Sequence, residues 1–160
     1  MNLIESTPCK EPESRILYRG KSILVTMPCW NEEGKAGEGV KAVPRDLVDT
    51  ICVVDNGSTD QTGPESEREG AVVIRHPENL GAGGGIRTGL EYGRINDFDL
   101  LAVLAGDNQD EPNDLFGAVD KLIDEKLDYV QGSRWLKEGR RENMTFSRII
   151  LTQLYSFLFR

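Results

Sequence analysis

The sequence lacks several features that mark whole classes of protein. Its 160 residues include one histidine and three cysteines, and no apolar run reaches the length needed to cross a bilayer. This composition does not support a Ser/His/Asp catalytic group or a Cys/His metal cluster. The cysteines are odd in number and lack the spacing of metal ligands, which favours a reducing compartment. The polar first residues are unlike a secretory leader. We therefore expect a cytoplasmic protein.

An overall basic surface is also missing. The formal net charge of -8 argues against a nucleic-acid binder, because contact with phosphate backbones requires cations. The charge is uneven: residues 134–160 carry a net charge of +4 and the remainder carries -12. The length suits one domain with a substantial core. An acidic body with a basic end needs a functional explanation.

Short apolar runs rich in β-branched residues predict four strands, at residues 22–27, 50–54, 71–75 and 99–104. The runs are continuous rather than alternating, which is typical of strands covered on both faces. Helical patterns lie between and after them, most clearly at 113–127. The alternation predicts an α/β fold, a three-layer sandwich around a mainly parallel sheet.

Each predicted strand is followed by a polar loop, and the four loops read MPCWNEE, DNGSTDQT, HPENLGAGGGIRTG and AGDNQDEP. The carboxyl ends of parallel strands meet at one edge of a sheet, where ligands bind in such folds. Four polar loops at one edge therefore predict a binding site.

Two of these loops contain candidate ligand-binding oxygens. An extended backbone after the fourth strand would direct Asp107 and Gln109 at one point, where oxygen ligands suit Mg²⁺ or Mn²⁺; a solvated turn is the alternative. Asp55 ends a buried strand, so its carboxylate needs a partner such as a base or ribose. The segment Ser58–Asp60 is predicted to cap the next helix.

The glycine-rich third loop does not match the common nucleotide-binding patterns. Ile86 and Thr88 stand where G-x-G-x-x-G requires glycine, and no Gly-Lys pair is present. Two interpretations stay open: a turn that brings amides and Arg87 to an anion, or a close helix–sheet contact that only glycine permits. His76, which precedes Pro77, is predicted to lie in a surface turn.

Taken in order, the segments PCWNEE, VVDNGSTD, NLGAGGGIRTG, AGDNQDEP and QGSRW resemble family 2 glycosyltransferases, above all the dolichol- or polyprenyl-phosphate sugar synthases. The resemblance runs from about Ile23 to Trp135. It implies a GT-A fold and inverting transfer of a hexose from a nucleotide sugar, such as a GDP- or UDP-hexose. It also implies a divalent metal, Mg²⁺ or Mn²⁺.

The resemblance implies roles for individual residues. Asp107 and Gln109 match the metal-holding positions, and Asp107 and Arg134 match positions at the reacting groups. The positions that match nucleotide-sugar contacts are Pro28, Trp30, Glu32, Asp55, Gly83, Arg87 and Ser133.

Three departures from the family pattern are visible. Ala105 replaces the first acid of the Asp-x-Asp element, so one metal contact is lost or is supplied by water or a neighbour. Asn56 replaces the second acid of the Asp-Asp-Gly-Ser element. Gly63 and Pro64 are expected to weaken the start of the helix after the second strand.

Family members continue beyond the basic segment, so we expect this chain to be a fragment or a short relative. We expect a flexible arm at 1–18, a nucleotide-sugar-binding core at 19–136, and a basic, amphipathic segment at 137–160. Within the last, residues 147–160 suit either a helix at the cytoplasmic membrane face, beside a lipid-phosphate acceptor, or a core helix.

The favoured function is metal-dependent transfer of a hexose to a polyprenyl or dolichyl phosphate, which is already anionic and needs no strong base. Transfer to a sugar hydroxyl, as in polysaccharide synthesis, would require a carboxylate base. A nucleotidyltransferase would show a basic, glycine-rich loop after the first strand, unlike MPCWNEE. A domain that binds nucleotide without turnover is a further alternative.

Overall fold

The structure, a computed structural model, describes residues 15–132. The strands are β1 Ile23–Cys29, β2 Thr50–Asp55, β3 Val72–Arg75 and β4 Leu100–Val103. The helices are α1 Ala36–Ala42, α2 Thr62–Arg68, α3 Gly81–Ile95 and α4 Asp114–Asp124. The four predicted strands and the helix predicted at 113–127 are confirmed. The chain divides into two compact units at Gly117, and all four strands lie in the first.

The four strands form one parallel sheet in the order β3-β2-β1-β4. Every residue of β2 and all but one of β1 are buried, as the continuous apolar runs predicted. In β4 the pattern alternates instead, and Leu101 and Val103 are 37% and 41% exposed. The prediction of cover on both faces is therefore wrong for β4, because this strand is at the edge of the described sheet.

One face of the sheet is covered by α3, which approaches β1 through a glycine ladder made of Gly85, Gly89 and Gly93. Each faces an alternate residue of β1: a Cβ on these glycines would lie 2.9 Å from Pro28 Cβ, 1.8 Å from Thr26 Oγ1 and 2.9 Å from Leu24 Cδ2, respectively. Four helical residues rise about 6 Å and two strand residues about 6.6 Å, so the two repeats stay in step. The close helix–sheet interpretation of these glycines is confirmed.

The other face is covered by α1 and α2. Gly39 of α1 lies against Met27, where an added Cβ would be 2.8 Å from Met27 Cε, and Gly37 lies against Glu65 of α2. The layers are therefore α3, the sheet, and α1 with α2, which confirms the predicted sandwich. The core on the α3 side consists of Leu24, Cys52, Val54, Ile74, Tyr92 and Phe98.

The segment before β1 is held at the amino ends of the strands by Arg15. Its guanidinium lies 4.3 Å from the centroid of the Phe98 ring and donates to the carbonyl of Asp97 at 3.0 Å. Residues 1–14 of the predicted arm lie outside the described residues, as do Ser133, Arg134 and the segment 137–160. Among residues 15–132, no helix combines the length and apolarity that crossing a membrane requires.

Candidate functional site

The loops after β1 and β2 are joined by a set of hydrogen bonds that we call the loop brace. The backbone N–H of Asn31 donates to Ser58 Oγ, and its side-chain Oδ1 accepts from the N–H of Thr59, both at 3.0 Å. Further donors are the backbone N–H groups of Glu32 to Thr62 Oγ1, Glu33 to Asp60 Oδ2 and Gly34 to Glu65. The two loops are therefore held as one structure beside the sheet edge.

The loop brace changes the predicted role of Ser58 and Thr59, which join the loops rather than cap α2. The cap position of α2 is Gln61, which makes no side-chain capping bond, but Asp60 just before it accepts from the N–H of Thr62, the first residue of the helix, at 3.0 Å. Burial opposes ionisation of Asp60, but hydrogen bonds from Thr62 and Glu33 outweigh it and lower the pKa of the carboxyl.

Asp55 has the partners that its buried position requires. It is 5% exposed, its Oδ1 accepts from the N–H of Ser58 at 2.9 Å, and its Oδ2 lies 3.7 Å from Arg75 Nε. Gly63 lies against the same carboxylate. Gly63 and Pro64 both lie in the first turn of α2, where proline is tolerated, and Gly63 leaves space for Asp55.

His76 was predicted to lie in a surface turn. This prediction is wrong, because the residue is only 4% exposed. Its Nδ1 lies 2.8 Å from Asn56 Oδ1 and its Nε2 lies 2.9 Å from Thr88 Oγ1 of α3. The sequence did hold a signal for this, since alternation along β3 places residue 76 on the face of Ile74, towards the core. Burial lowers the pKa of His76, against the opposing effect of the negative charge of Asp55.

Asp107 and Gln109 meet, as predicted, but through a turn. Asn108 between them has a φ of 60°, and the N–H of Gln109 donates to Asp107 Oδ1 at 3.2 Å while Nε2 donates to Oδ2. Asp110 reaches back to Ala105, whose N–H donates to Asp110 Oδ2 at 2.8 Å. A carboxylate thus lies beside the residue that replaces the first acid of the family pattern.

Asp107 is half-buried and Gln109 and Asp110 are exposed. Their side-chain oxygens suit a hard cation that has water or phosphate in its other positions. Within residues 15–132, no three His, Cys, Asp or Glu side chains gather as a complete metal site. Asp107 and Gln109 are therefore the described residues that would contact such a cation, and they do not enclose it by themselves.

Carboxylates from the loops after β1, β2 and β4 affect the pKa of the buried Cys29 thiol. Burial, together with smaller contributions from nearby negative charges, raises the pKa of Cys29 to about 12. Those charges belong to Glu32, Asp55, Asp107 and Asp60, which we call the acidic cluster. Lys35 beside it has a raised pKa, because it is hydrogen-bonded to Glu32 at 2.8 Å and also senses Asp107. Three predicted site residues, Glu32, Asp55 and Asp107, are therefore close enough to Cys29 to influence its pKa.

The remaining predicted residues that the structure describes lie at the carboxyl end of β1 and in the first two turns of α3. Trp30 is 53% exposed at the end of β1, and Pro28 lies beneath the glycine ladder. Gly83 and Arg87 are exposed in the first two turns of α3, and a Cβ on Gly83 would meet no described atom within 4 Å. The glycine-rich segment thus combines a packed face with an open first turn.

Comparisons with known proteins agree with this architecture. The model of a family described as Glycosyl transferase family 2 matches residues 24–159. An uncharacterized protein of Methanocaldococcus jannaschii is 33% identical over 122 residues, or 76% of this chain and 50% of that protein. The UDP-N-acetylglucosamine–dolichyl-phosphate N-acetylglucosaminyltransferase of Methanococcus voltae is 27% identical over 155 residues, or 86% of this chain and 62% of that protein.

Among solved structures, glucosyl-3-phosphoglycerate synthase of Mycobacterium tuberculosis aligns with a TM-score of 0.54 and 25% identity, covering 65% of this chain and 42% of that one. The same enzyme has been crystallised with Mn²⁺, uridine diphosphate and glucosyl-3-phosphoglycerate. The present chain spans between 50% and 62% of the length of the two relatives named above.

Proposed function

The chain belongs to glycosyl transferase family 2, and we propose that it binds a nucleotide sugar at the carboxyl ends of its strands. Asp55 and Arg75, paired at the ends of β2 and β3, offer an acceptor and donors for the base. The other proposed donor-site contacts are Pro28, Trp30, Glu32, Gly83, Arg87 and Ser133.

The observation that carries the proposal is the position of the Asp55–Arg75 pair and the Asp107–Gln109 turn, which lie at or just beyond the carboxyl ends of β2, β3 and β4. Glu32 and Asp55 are paired with Lys35 and Arg75, but the carboxylates of Asp60 and Asp107 would repel a nucleoside diphosphate. A divalent cation reverses the sign of this interaction. We assign its binding to Asp107 and Gln109, with the carboxylate of Asp110 beside Ala105 as a neighbour. Bound Mg²⁺ or Mn²⁺ would neutralise the diphosphate leaving group.

The acceptor that fits best is a lipid phosphate, the class that the name of the Methanococcus voltae relative states for that enzyme. The only histidine is buried with both ring nitrogens in hydrogen bonds, so it does not serve as a base. An ionised phosphate needs none. Its oxygen forms the bond to the anomeric carbon as the bond to the nucleoside diphosphate breaks, and the diphosphate leaves with the electron pair. Arg134 is proposed to neutralise charge in this step.

The donor site is tested by calorimetric titration of UDP and GDP into the 160-residue chain, with Mn²⁺ and then with EDTA. We expect one of the two nucleotides to bind only with metal. We expect Asp107→Asn to abolish this metal-dependent binding. Asp46→Asn, which removes an exposed carboxylate between α1 and β2, makes the same charge change away from the site. Absence of nucleotide binding by the folded wild-type chain would contradict the proposal.

The acceptor is tested separately, by incubating the chain with a radiolabelled nucleotide sugar and either dolichyl phosphate or an oligosaccharide. Label that enters the organic phase only with dolichyl phosphate supports the lipid acceptor. Label on the oligosaccharide supports transfer to a hydroxyl, and binding without either product supports a nucleotide-binding domain without turnover.

A further inference from the structure

Asn56 is only 3% exposed, and both side-chain N–H groups and its Oδ1 have hydrogen-bond partners within the protein. Its Nδ2 donates to Asn79 Oδ1 at 2.9 Å and to the carbonyl of Gly81 at 3.0 Å. Its Oδ1 accepts from the N–H of Leu80 at 3.0 Å and lies 2.8 Å from His76 Nδ1. One side chain at the end of β2 therefore fixes residues 79–81, which lead into α3.

The hydrogen bonds also fix the tautomer of His76. Asn56 Oδ1 can only accept, so His76 Nδ1 carries the proton and Nε2 accepts from the hydroxyl of Thr88. The resulting chain of donors runs from Thr88 through His76 to Asn56. It ties the second turn of α3 to the same point as the first turn.

The faces of the sheet separate two pairs of neighbours at this edge. Asp55 and Arg75 are register partners on the α2 side, where Gly63 adjoins Asp55. The next residues, Asn56 and His76, are hydrogen-bonded to each other and reach α3 through Thr88. The pair proposed to contact the nucleotide base thus adjoins a pair whose side chains are hydrogen-bonded to α3 and the residues that lead into it.

Resting on the nucleotide-sugar site proposed above, we infer that Asn56 is a positioning residue of that site, which sets the first two turns of α3 and with them Gly83 and Arg87. A carboxylate of the same shape cannot replace it. An aspartate lacks both hydrogens of the amide, and it would place lone pairs against Asn79 Oδ1 and the Gly81 carbonyl. The asparagine that replaces the family's acid at residue 56 therefore provides the hydrogen bonds that hold residues 79–81.

The test compares Asn56→Asp with Asn96→Asp, which makes the same substitution at the other end of α3, where Asn96 Nδ2 donates to Tyr92 O at 2.8 Å. We expect Asn56→Asp to weaken UDP binding in Mn²⁺ about tenfold, as for loss of roughly one net hydrogen bond. Amide exchange should accelerate at Leu80 and Gly81. Because the new carboxylate favours imidazolium, the ¹⁵N shifts of the His76 ring should also change. Asn96→Asp should show none of these effects.

Asn79→Ala keeps the test open if Asn56→Asp does not fold, because the side chain of Asn79 is exposed and only its bonds to Asn56 and the N–H of Gly81 are lost. It should show the same changes in exchange and in UDP affinity. His76→Asn, which retains a donor near Nδ1 and loses the contact with Thr88, should bind UDP more tightly than Asn56→Asp.

Wild-type affinity for UDP in both Asn56→Asp and Asn79→Ala would overturn the inference and leave the proposed function standing. The inference is also overturned if Asn96→Asp weakens UDP binding as much as Asn56→Asp does. Failure of the wild-type chain to bind either nucleotide would overturn the proposed function and the inference together.

Discussion

Gly63 lies directly against the carboxylate of Asp55: a Cβ on residue 63 would be 2.7 Å from Asp55 Oδ2 and 2.9 Å from Arg75 Nε. Gly63→Ala should therefore displace the Asp55–Arg75 pair, destabilise the chain by about 1–3 kcal/mol and weaken UDP binding. Urea unfolding and calorimetry measure the two effects. Gly117→Ala is the control, since no described atom lies within 4 Å of its added Cβ and the helix should gain about 0.5–1 kcal/mol. Similar effects of the two substitutions would contradict this reading.

The loop brace predicts a difference between two substitutions of Asn31, whose φ is 53°. Asn31→Gly and Asn31→Ala both remove the acceptor for the N–H of Thr59, so both should accelerate amide exchange at Thr59. Alanine also disfavours the left-handed backbone, so Asn31→Ala should be less stable than Asn31→Gly by about 1 kcal/mol. Urea unfolding checks the order, and equal stabilities would show that the backbone relaxes at this turn.

The glycine ladder predicts that Gly89→Ala is strongly destabilising. The added Cβ would lie 1.8 Å from Thr26 Oγ1 and 2.6 Å from Thr26 Cβ, so α3 must move away from β1. We expect a net loss of about 1–3 kcal/mol or more, despite the roughly 1 kcal/mol by which alanine favours a helix. Adding Thr26→Ala removes Oγ1 and leaves Cβ, so rescue in urea unfolding should be partial. Full rescue or an unchanged stability would contradict the ladder.

His76 predicts a dependence of stability on pH. Burial lowers its pKa below the ordinary 6.5, so the unfolded chain binds a proton at a higher pH than the folded chain does. The contribution of neutral His76 is therefore complete above about pH 6.5 and is lost as the pH falls from there through the folded pKa. The nearby charges of Asp55 and Arg75 are present in both wild type and His76→Asn. The difference in free energy of unfolding between wild type and His76→Asn, measured by urea unfolding, should become smaller as the pH falls from 7.5 to 5. A difference that does not change with pH would contradict the lowered pKa of His76.

Much of the fold was predictable because burial leaves a strong signal in sequence. Continuous β-branched runs located all four strands, and their alternation with helices indicated the layers. The partial exposure of β4 was not predictable, since Leu101 and Val103 are as apolar as the buried residues of the other strands.

The candidate site was predictable in its chemistry and not in its internal contacts. The polarity of the loops identified Asp55, Asp107 and Gln109. The loop brace was missed because its donors are mainly backbone N–H groups, which every residue carries and no spacing reveals. Asn56 was noticed only as a departure, because its four partners come from residues 20 to 25 positions away.

The glycine ladder also governs how this chain tolerates changes in length. One residue inserted between Gly85 and Gly89 would rotate the following part of α3 by about 100° and direct side chains, not glycines, at Thr26. A residue inserted in β1 would exchange the faces of the strand beyond it. Between Gly85 and Gly93 the helix is consequently locked in phase with the strand. Length variation in this half of the fold must then be confined to connections outside the ladder.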